Sequence, residues 1–183
     1  NGTYALIRSY ADLTLTNCVI NTLNANHDDQ YSEGVEAIAP ATLTENNITY
    51  VVSTTNDLKT ALSSGGNIVL GGDVDFEKID LTTQTQDIVI DANGYTSTTE
   101  SNCGVEATAG KNITLKNAVV EITVNVDYIN YAAGFKISNG DYNNKTIKLE
   151  NCEIRMANTD WAYAINMPAS VKNLNLVIDN CTL

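Results

Sequence analysis

Gly104-Val105-Glu106-Ala107-Thr108-Ala109-Gly110-Lys111-Asn112-Ile113-Thr114-Leu115-Lys116-Asn117-Ala118-Val119-Val120 holds a short apolar strand, a turn, and a second strand of strict alternation ending in Asn. The phrase returns along the chain. Residues 3–20 contain an ungapped copy of it, residues 147–154 and 176–183 repeat its second half, and residues 34–40 repeat its first half. Such self-similarity marks a repeat architecture, because one copy cannot bury its apolar face alone and stacking copies can. Alternation at Leu13/Leu15, Ile113/Leu115 and Ile147/Leu149 gives each strand one buried face.

Composition supports a β-rich domain and narrows its partners. The chain has 183 residues, with 22 Asp plus Glu against 10 Lys plus Arg, a net charge of -12. A surface of that sign repels nucleic-acid phosphates and anionic membranes, attracts cations, and keeps strands soluble by self-repulsion. No apolar run is long enough to span a bilayer, so membrane insertion is not expected. Asn1 is not an initiator residue, which suggests processing, trimming or a fragment.

Of the four cysteines, Cys18, Cys152 and Cys181 follow an Asn at one place in the repeat, and Cys103 lies elsewhere. A residue recurring at one inward site stacks on its copies, so the expectation is a column of buried thiols. A Cys152–Cys181 disulfide is the alternative.

In chain order, residues 1–50 read as two coils, with strands at 5–7, 13–15 and 19–20, then 35–39 and onward through 43–50. Pro40 occupies the turn position of Gly110. A short helix near residues 56–64 follows, capped by Asn56 or Asp57, with Leu58, Ala61 and Leu62 on its apolar face and Gly65 at its end. Strands at 67–70 and 87–91 come next, then coils at 105–124, 132–156 and 162–183.

The helix, then Gly66-Asn67-Ile68-Val69-Leu70, a turn, and Ile88-Val89-Ile90-Asp91-Ala92-Asn93-Gly94-Tyr95 together resemble the opening of right-handed parallel β-helix proteins of the pectate-lyase-like superfamily. The resemblance implies an all-β solenoid, three strands per coil, and a short helix plugging the first coil. It also implies stacked Asn at the turn after the second strand, a position matched here by Asn17, Asn93, Asn117, Asn151 and Asn180. The physics agrees: Asn tolerates left-handed turns, and its amide donates to one neighbour while accepting from the other. Residues 1–50 then read as the tail of an upstream β-helix. Residues 51–183 read as a helix-capped β-helix continuing past the C-terminus.

Enzymes of that superfamily use clustered Asp for calcium and an Arg or Lys as base, and glycosidases on the scaffold use paired carboxylates. The outward candidates here, Glu36, Glu106, Lys136 and Asn166, read as single and mixed. Arg8 and Arg155 are the only arginines. His27-Asp28-Asp29, and Asp73 with Asp75, are sharp metal readings beside the bland one of solvated loops and turns. Calcium is therefore the one cofactor to keep in view. Tyr128, Tyr131, Asp160, Trp161 and Tyr163, clustered before the first strands of the last two coils, make the candidate ligand-binding set: a sugar platform, a protein contact, or covers for coil ends. Asn1, Asn47, Asn112, Asn144 and Asn180 begin glycosylation sequons.

The leading functional expectation is a non-catalytic β-helix on a cell surface or virion, a spacer with glycan- or protein-binding loops that self-associates through coil ends. A polysaccharide lyase or glycoside hydrolase, and a purely structural fibre component, are the alternatives.

Overall fold

The computed structural model of the chain describes residues 7–21, 35–37, 39–74, 79–80, 86–99, 102–124, 132–156 and 162–183. Two repeats come first: β1 (Ile7–Ser9), β2 (Leu13–Thr16) and β3 (Val19–Asn21), then β4 (Val35–Ala37), β5 (Leu43–Asn46) and β6 (Thr49–Val52). Helix α1 (Thr55–Ser64) and β7 (Gly66–Leu70) follow. The later repeats are β8 (Ile79–Asp80), β9 (Ile88–Asp91) and β10 (Thr96–Thr99); β11 (Cys103–Ala107), β12 (Ile113–Lys116) and β13 (Val119–Ile122); β14 (Ala132–Ile137), β15 (Thr146–Glu150) and β16 (Glu153–Met156); and β17 (Ala162–Asn166) with β18 (Asn175–Asp179). The protein is mostly β, and among the described residues every strand pairing is parallel, each strand lying beside its counterpart in the neighbouring repeat.

The longest sheet has seven strands in the order β18-β15-β12-β9-β7-β6-β3. Its register builds columns of like side chains. Ile68, Ile90, Leu115 and Leu149 stand in line and are buried, as are Ile88, Ile113 and Ile147 in the next column. The intervening residues Val89, Thr114 and Lys148 are only half-buried, so period-two alternation places one face in the core. Parallel pairing extends the core by one aliphatic layer per repeat, roughly 4.8 Å apart.

Helix α1 begins at Thr54, whose Oγ1 accepts the Asp57 N–H at 3.1 Å. The cap thus falls earlier than Asn56 or Asp57, because Thr54 is the residue with extended backbone preceding the first turn. Leu58, Ala61 and Leu62 join the core of the adjacent strands, as their spacing predicts. Gly65 ends the helix at φ 75°, a region costly for any residue with a Cβ.

Several sequence expectations change. In the repeat, Val19 and Ile20 of β3 correspond to Val119 and Val120 of β13. Yet β3 and β6 extend the sheet that contains β12, while β13 pairs with β10 and β16. The reason lies at β6, where Tyr50 and Val52 fall in register with Ile68 and Leu70 of β7 and share its inward face. The division expected at residue 50 falls inside β6, which pairs with β3 on one side and β7 on the other.

The second change concerns the Asn ladder. Asn17, Asn47, Asn93, Asn117, Asn151 and Asn180 all adopt left-handed backbone, φ between 50° and 54°. Asn180 donates its amide to Asn151 Oδ1 (2.7 Å), Asn151 to Asn117 Oδ1 (3.2 Å), and Asn117 to Asp91 Oδ1 (2.9 Å). Asn93 is therefore not a rung. Residues 92–95 span the turn that 117–118 span one repeat later, and the longer turn moves Asn93 off the column. Asp91 takes the place and fixes the polarity, since an ionised carboxylate only accepts. A second ladder, not expected, runs from Asn67 to Asn47 Oδ1 (3.3 Å) and Asn47 to Asn17 Oδ1 (2.8 Å).

The thiol column is likewise shorter than expected. All four cysteines are free, and the Cys152 N–H donates to Cys181 Sγ at 3.4 Å, but Cys18 stands apart, before β3 and beside Ile48. Ala118 precedes Cys152 in the column, because the site requires a small side chain and not a thiol. Cys103 is buried at the start of β11, its thiol donating to the Val105 carbonyl.

Replacing Leu149 by Ala should cost about 2–5 kcal/mol of unfolding free energy in urea titrations, whereas Thr114→Ala should stay within about 0.5 kcal/mol. Asn151→Ala loses ladder bonds and meets the left-handed penalty; Asn151→Gly loses only the bonds. The glycine variant should be the more stable by about 1 kcal/mol.

Candidate functional site

The sheet β8-β11-β14-β17 brings together residues that look unrelated in sequence. Asp80, Glu106, Lys136 and Asn166 lie in one register row across its four strands. Glu106 is buried, and its Oε1 receives the Lys136 ammonium at 3.0 Å and the Ser138 hydroxyl at 3.1 Å. A carboxylate held away from water needs such partners, because an isolated buried charge is costly. Close by, the Tyr142 hydroxyl donates to the Ser138 carbonyl at 3.0 Å, and burial pushes the phenol pKa up to about 12.

The row stands where it does because β11 and β14 approach β13 and β16 closely. A Cβ on Gly104 would lie 2.7 Å from both the Val120 Cγ1 and the Gly134 carbonyl oxygen, and one on Gly134 would collide with Ile154. Small residues at these points let the sheets close.

Three of the outward candidates thus meet: Glu106, Lys136 and Asn166. Glu36 does not, since β4 pairs with β1 in a separate sheet. Asp80 and Ser138 carry no signal of this row in the sequence. Asp80 sits on a two-residue strand with no periodic signal, and only the register places it beside Glu106. Of the aromatic set, Tyr163 lies near the start of β17, half exposed, in register with Ala133. Tyr128, Tyr131, Asp160 and Trp161 fall outside the described residues, as do His27, Asp28, Asp29 and Asp75.

Other charges serve local structure. Arg155 makes a two-pronged contact with Glu153, both bonds 2.8 Å. Lys116 reaches Asp91 at 3.1 Å, and Lys148 reaches Glu150 at 2.6 Å. Asp73 accepts the Thr96 N–H at 3.0 Å, a turn-capping contact. Among the described residues, no three His, Cys, Asp or Glu side chains converge as a cation site. Three sequon amides are in use: Asn47 and Asn180 in the ladders, and Asn112 on Asp87 Oδ2 at 2.8 Å.

Four aspartates share one electrostatic signature. The Thr42 backbone N–H and hydroxyl hold the Asp12 carboxyl below its ordinary range, and the Asn112 N–H and amide do so for Asp87. The Asn143 N–H and Asn173 amide lower Asp141. Burial raises Asp91, but the Asn117 amide, the Asn93 N–H and Lys116 together outweigh it and leave the pKa lowered. A depressed carboxyl stabilises the fold above its unfolded pKa, and that contribution is lost as pH falls through the folded value. Urea midpoints should therefore be flat from about pH 7 to 5 and drop below about pH 4. Asp87→Asn should flatten part of that drop.

No protein-family model, curated protein or solved structure matches the chain.

Lys136→Met leaves Glu106 buried without its cation and should cost about 1–3 kcal/mol, while the double variant Glu106→Gln/Lys136→Met should recover most of that. Chemical denaturation of the three variants measures the coupling.

Proposed function

We propose that this chain is a right-handed parallel β-helix of the pectate-lyase-like type, working as a stiff, non-catalytic spacer on a cell surface or virion. Its loops bind glycan or another protein chain, and it associates with its own kind through coil ends. The observation that carries this reading is the last repeat. Tyr163, Met167, Ile178 and Leu183 are 48, 53, 45 and 55% exposed, although Ile178 continues a column that is buried in the four preceding strands. An open strand edge with exposed aliphatic residues favours a neighbour there, be it a further repeat of the same protein or another chain. The acid-rich surface supports an aqueous, non-nucleic-acid setting.

Sedimentation velocity from micromolar to millimolar protein tests the spacer reading: a growing series of species is expected, and a monomer throughout would sink it. Binding to a panel of immobilised glycans tests the loops. Trp161→Ala or Tyr163→Ala should weaken any sugar bound by about three- to tenfold. If the protein is purely a fibre component, the same aromatics become protected on assembly and no glycan is retained.

One observation favours the catalytic alternative, a polysaccharide lyase or glycoside hydrolase: the row of Asp80, Glu106, Lys136 and Asn166, with acid, base and amide groups across adjacent strands. Release of new chain ends from acidic and neutral polysaccharides, with and without calcium, measures it. Under this reading Lys136→Met abolishes the release.

A further inference from the structure

We infer that Lys136 and Asn166 become joined by an amide cross-link between their side chains, which the folded protein forms on itself with loss of ammonia and with Glu106 as the base. The inference stands on the register of the β8-β11-β14-β17 sheet and does not depend on the spacer reading.

Register brings the three reacting groups together. Lys136 on β14 lies between Glu106 on β11 and Asn166 on β17, each its direct parallel partner. In-register neighbours leave a parallel sheet on the same face, with the strands roughly 4.8 Å apart. The Lys136 nitrogen is already 3.0 Å from Glu106 Oε1. Its flexible four-carbon stem lets it swing from there onto the carboxamide carbon of Asn166. Among the described strands no other lysine has this setting. Lys116 lies between Asp91 and Glu150, and Lys148 between Thr114 and Val177, so neither has a carboxamide in register.

An ammonium is no nucleophile and a carboxamide is a poor electrophile, and the site answers both problems. Glu106 is only 9% exposed. Taking a carboxylate–ammonium pair out of water favours its neutral form, in which the amine carries a free lone pair. Holding that amine beside its target makes the attack unimolecular, equivalent to an effective concentration on the order of 10⁵ M or more. Glu106 first takes a proton from Lys136 Nζ. The Nζ lone pair then bonds to Asn166 Cγ. The Cγ–Nδ2 bond breaks as Glu106 returns that proton to Nδ2, which leaves as ammonia. A second Nζ proton passes through Glu106 to the ammonia, which departs as ammonium and leaves a neutral amide. Nothing is oxidised or reduced, and no co-reactant is consumed. Ser138, donating to Glu106 Oε1 at 3.1 Å, holds the base in place. The product ties the β14–β16 repeat covalently to the β17–β18 repeat.

Intact-mass spectrometry of the purified full chain tests this. Wild type should weigh about 17 Da less than its sequence, one ammonia, and digestion should release one branched peptide holding residues 136 and 166. Lys136→Arg keeps a cation beside Glu106 but has no amine, and Asn166→Ala has no carboxamide. Both should show the full mass, with circular dichroism confirming that they fold. In a time course from cell-free synthesis, Glu106→Gln should lose ammonia at least about a hundredfold more slowly than wild type. Folded wild type at full mass overturns the cross-link, whether or not any variant folds. So does a loss that persists in Asn166→Ala, or one that maps to a cyclised Asn93-Gly94 or Asn139-Gly140 pair. Any of these results leaves the spacer reading standing. A cross-linked Lys136, in turn, has no free amine to serve the lyase or hydrolase alternative.

Discussion

In-register parallel stacking is the constraint on which everything else in this protein depends. Ile68, Ile90, Leu115 and Leu149 occupy one line because each strand lies beside its counterpart in the next repeat with no slip. A slip of one residue would turn every one of these side chains to the outside. The aliphatic columns supply most of the driving force, since each buried Leu or Ile contributes on the order of 1.5–3 kcal/mol by transfer. They do not by themselves fix register along the stack, because neighbouring layers look alike.

The polar ladders supply that registration. The carboxylates of Asp87 and Asp91 can only accept, so they orient every amide that follows. From Asp91 the order runs Asn117, Asn151, Asn180, with donor and acceptor never reversed. The same turns need left-handed backbone, which Asn adopts more readily than any other residue with a side chain of that length. One residue type thus answers a backbone requirement and a side-chain requirement together. A directional ladder also leaves its two ends chemically unlike, and so gives the molecule a polarity along its stack.

The outer face of the β8-β11-β14-β17 sheet is built on a different balance. Glu106 is buried there because Lys136 and Ser138 satisfy it, and because Gly104 and Gly134 let the strands sink toward β13 and β16. Charges on the seven-stranded sheet, such as Lys148 with Glu150, stay nearer solvent and contribute less. The sheet with the buried ion pair is the one that also carries Tyr163 and Asn166, which concentrates polar chemistry on one side of the molecule.

The sequence by itself determined the repeats, the strands of strict alternation, the helix with its apolar face, and the left-handed Asn turns. These are local properties: period two, capping residues and turn chemistry act within a few positions. Strand β10 was invisible at that level, because Thr96-Ser97-Thr98-Thr99 has no apolar residue and is buried only by its neighbours. Tertiary structure alone decided which repeat meets which. It displaced Asn93 from the ladder through a longer turn and joined β6 to β7 where the sequence repeat pointed elsewhere. It also set Asp80 beside Glu106 and Lys136. Those outcomes depend on loop length and on register between strands far apart in the chain, and neither is encoded within any single repeat.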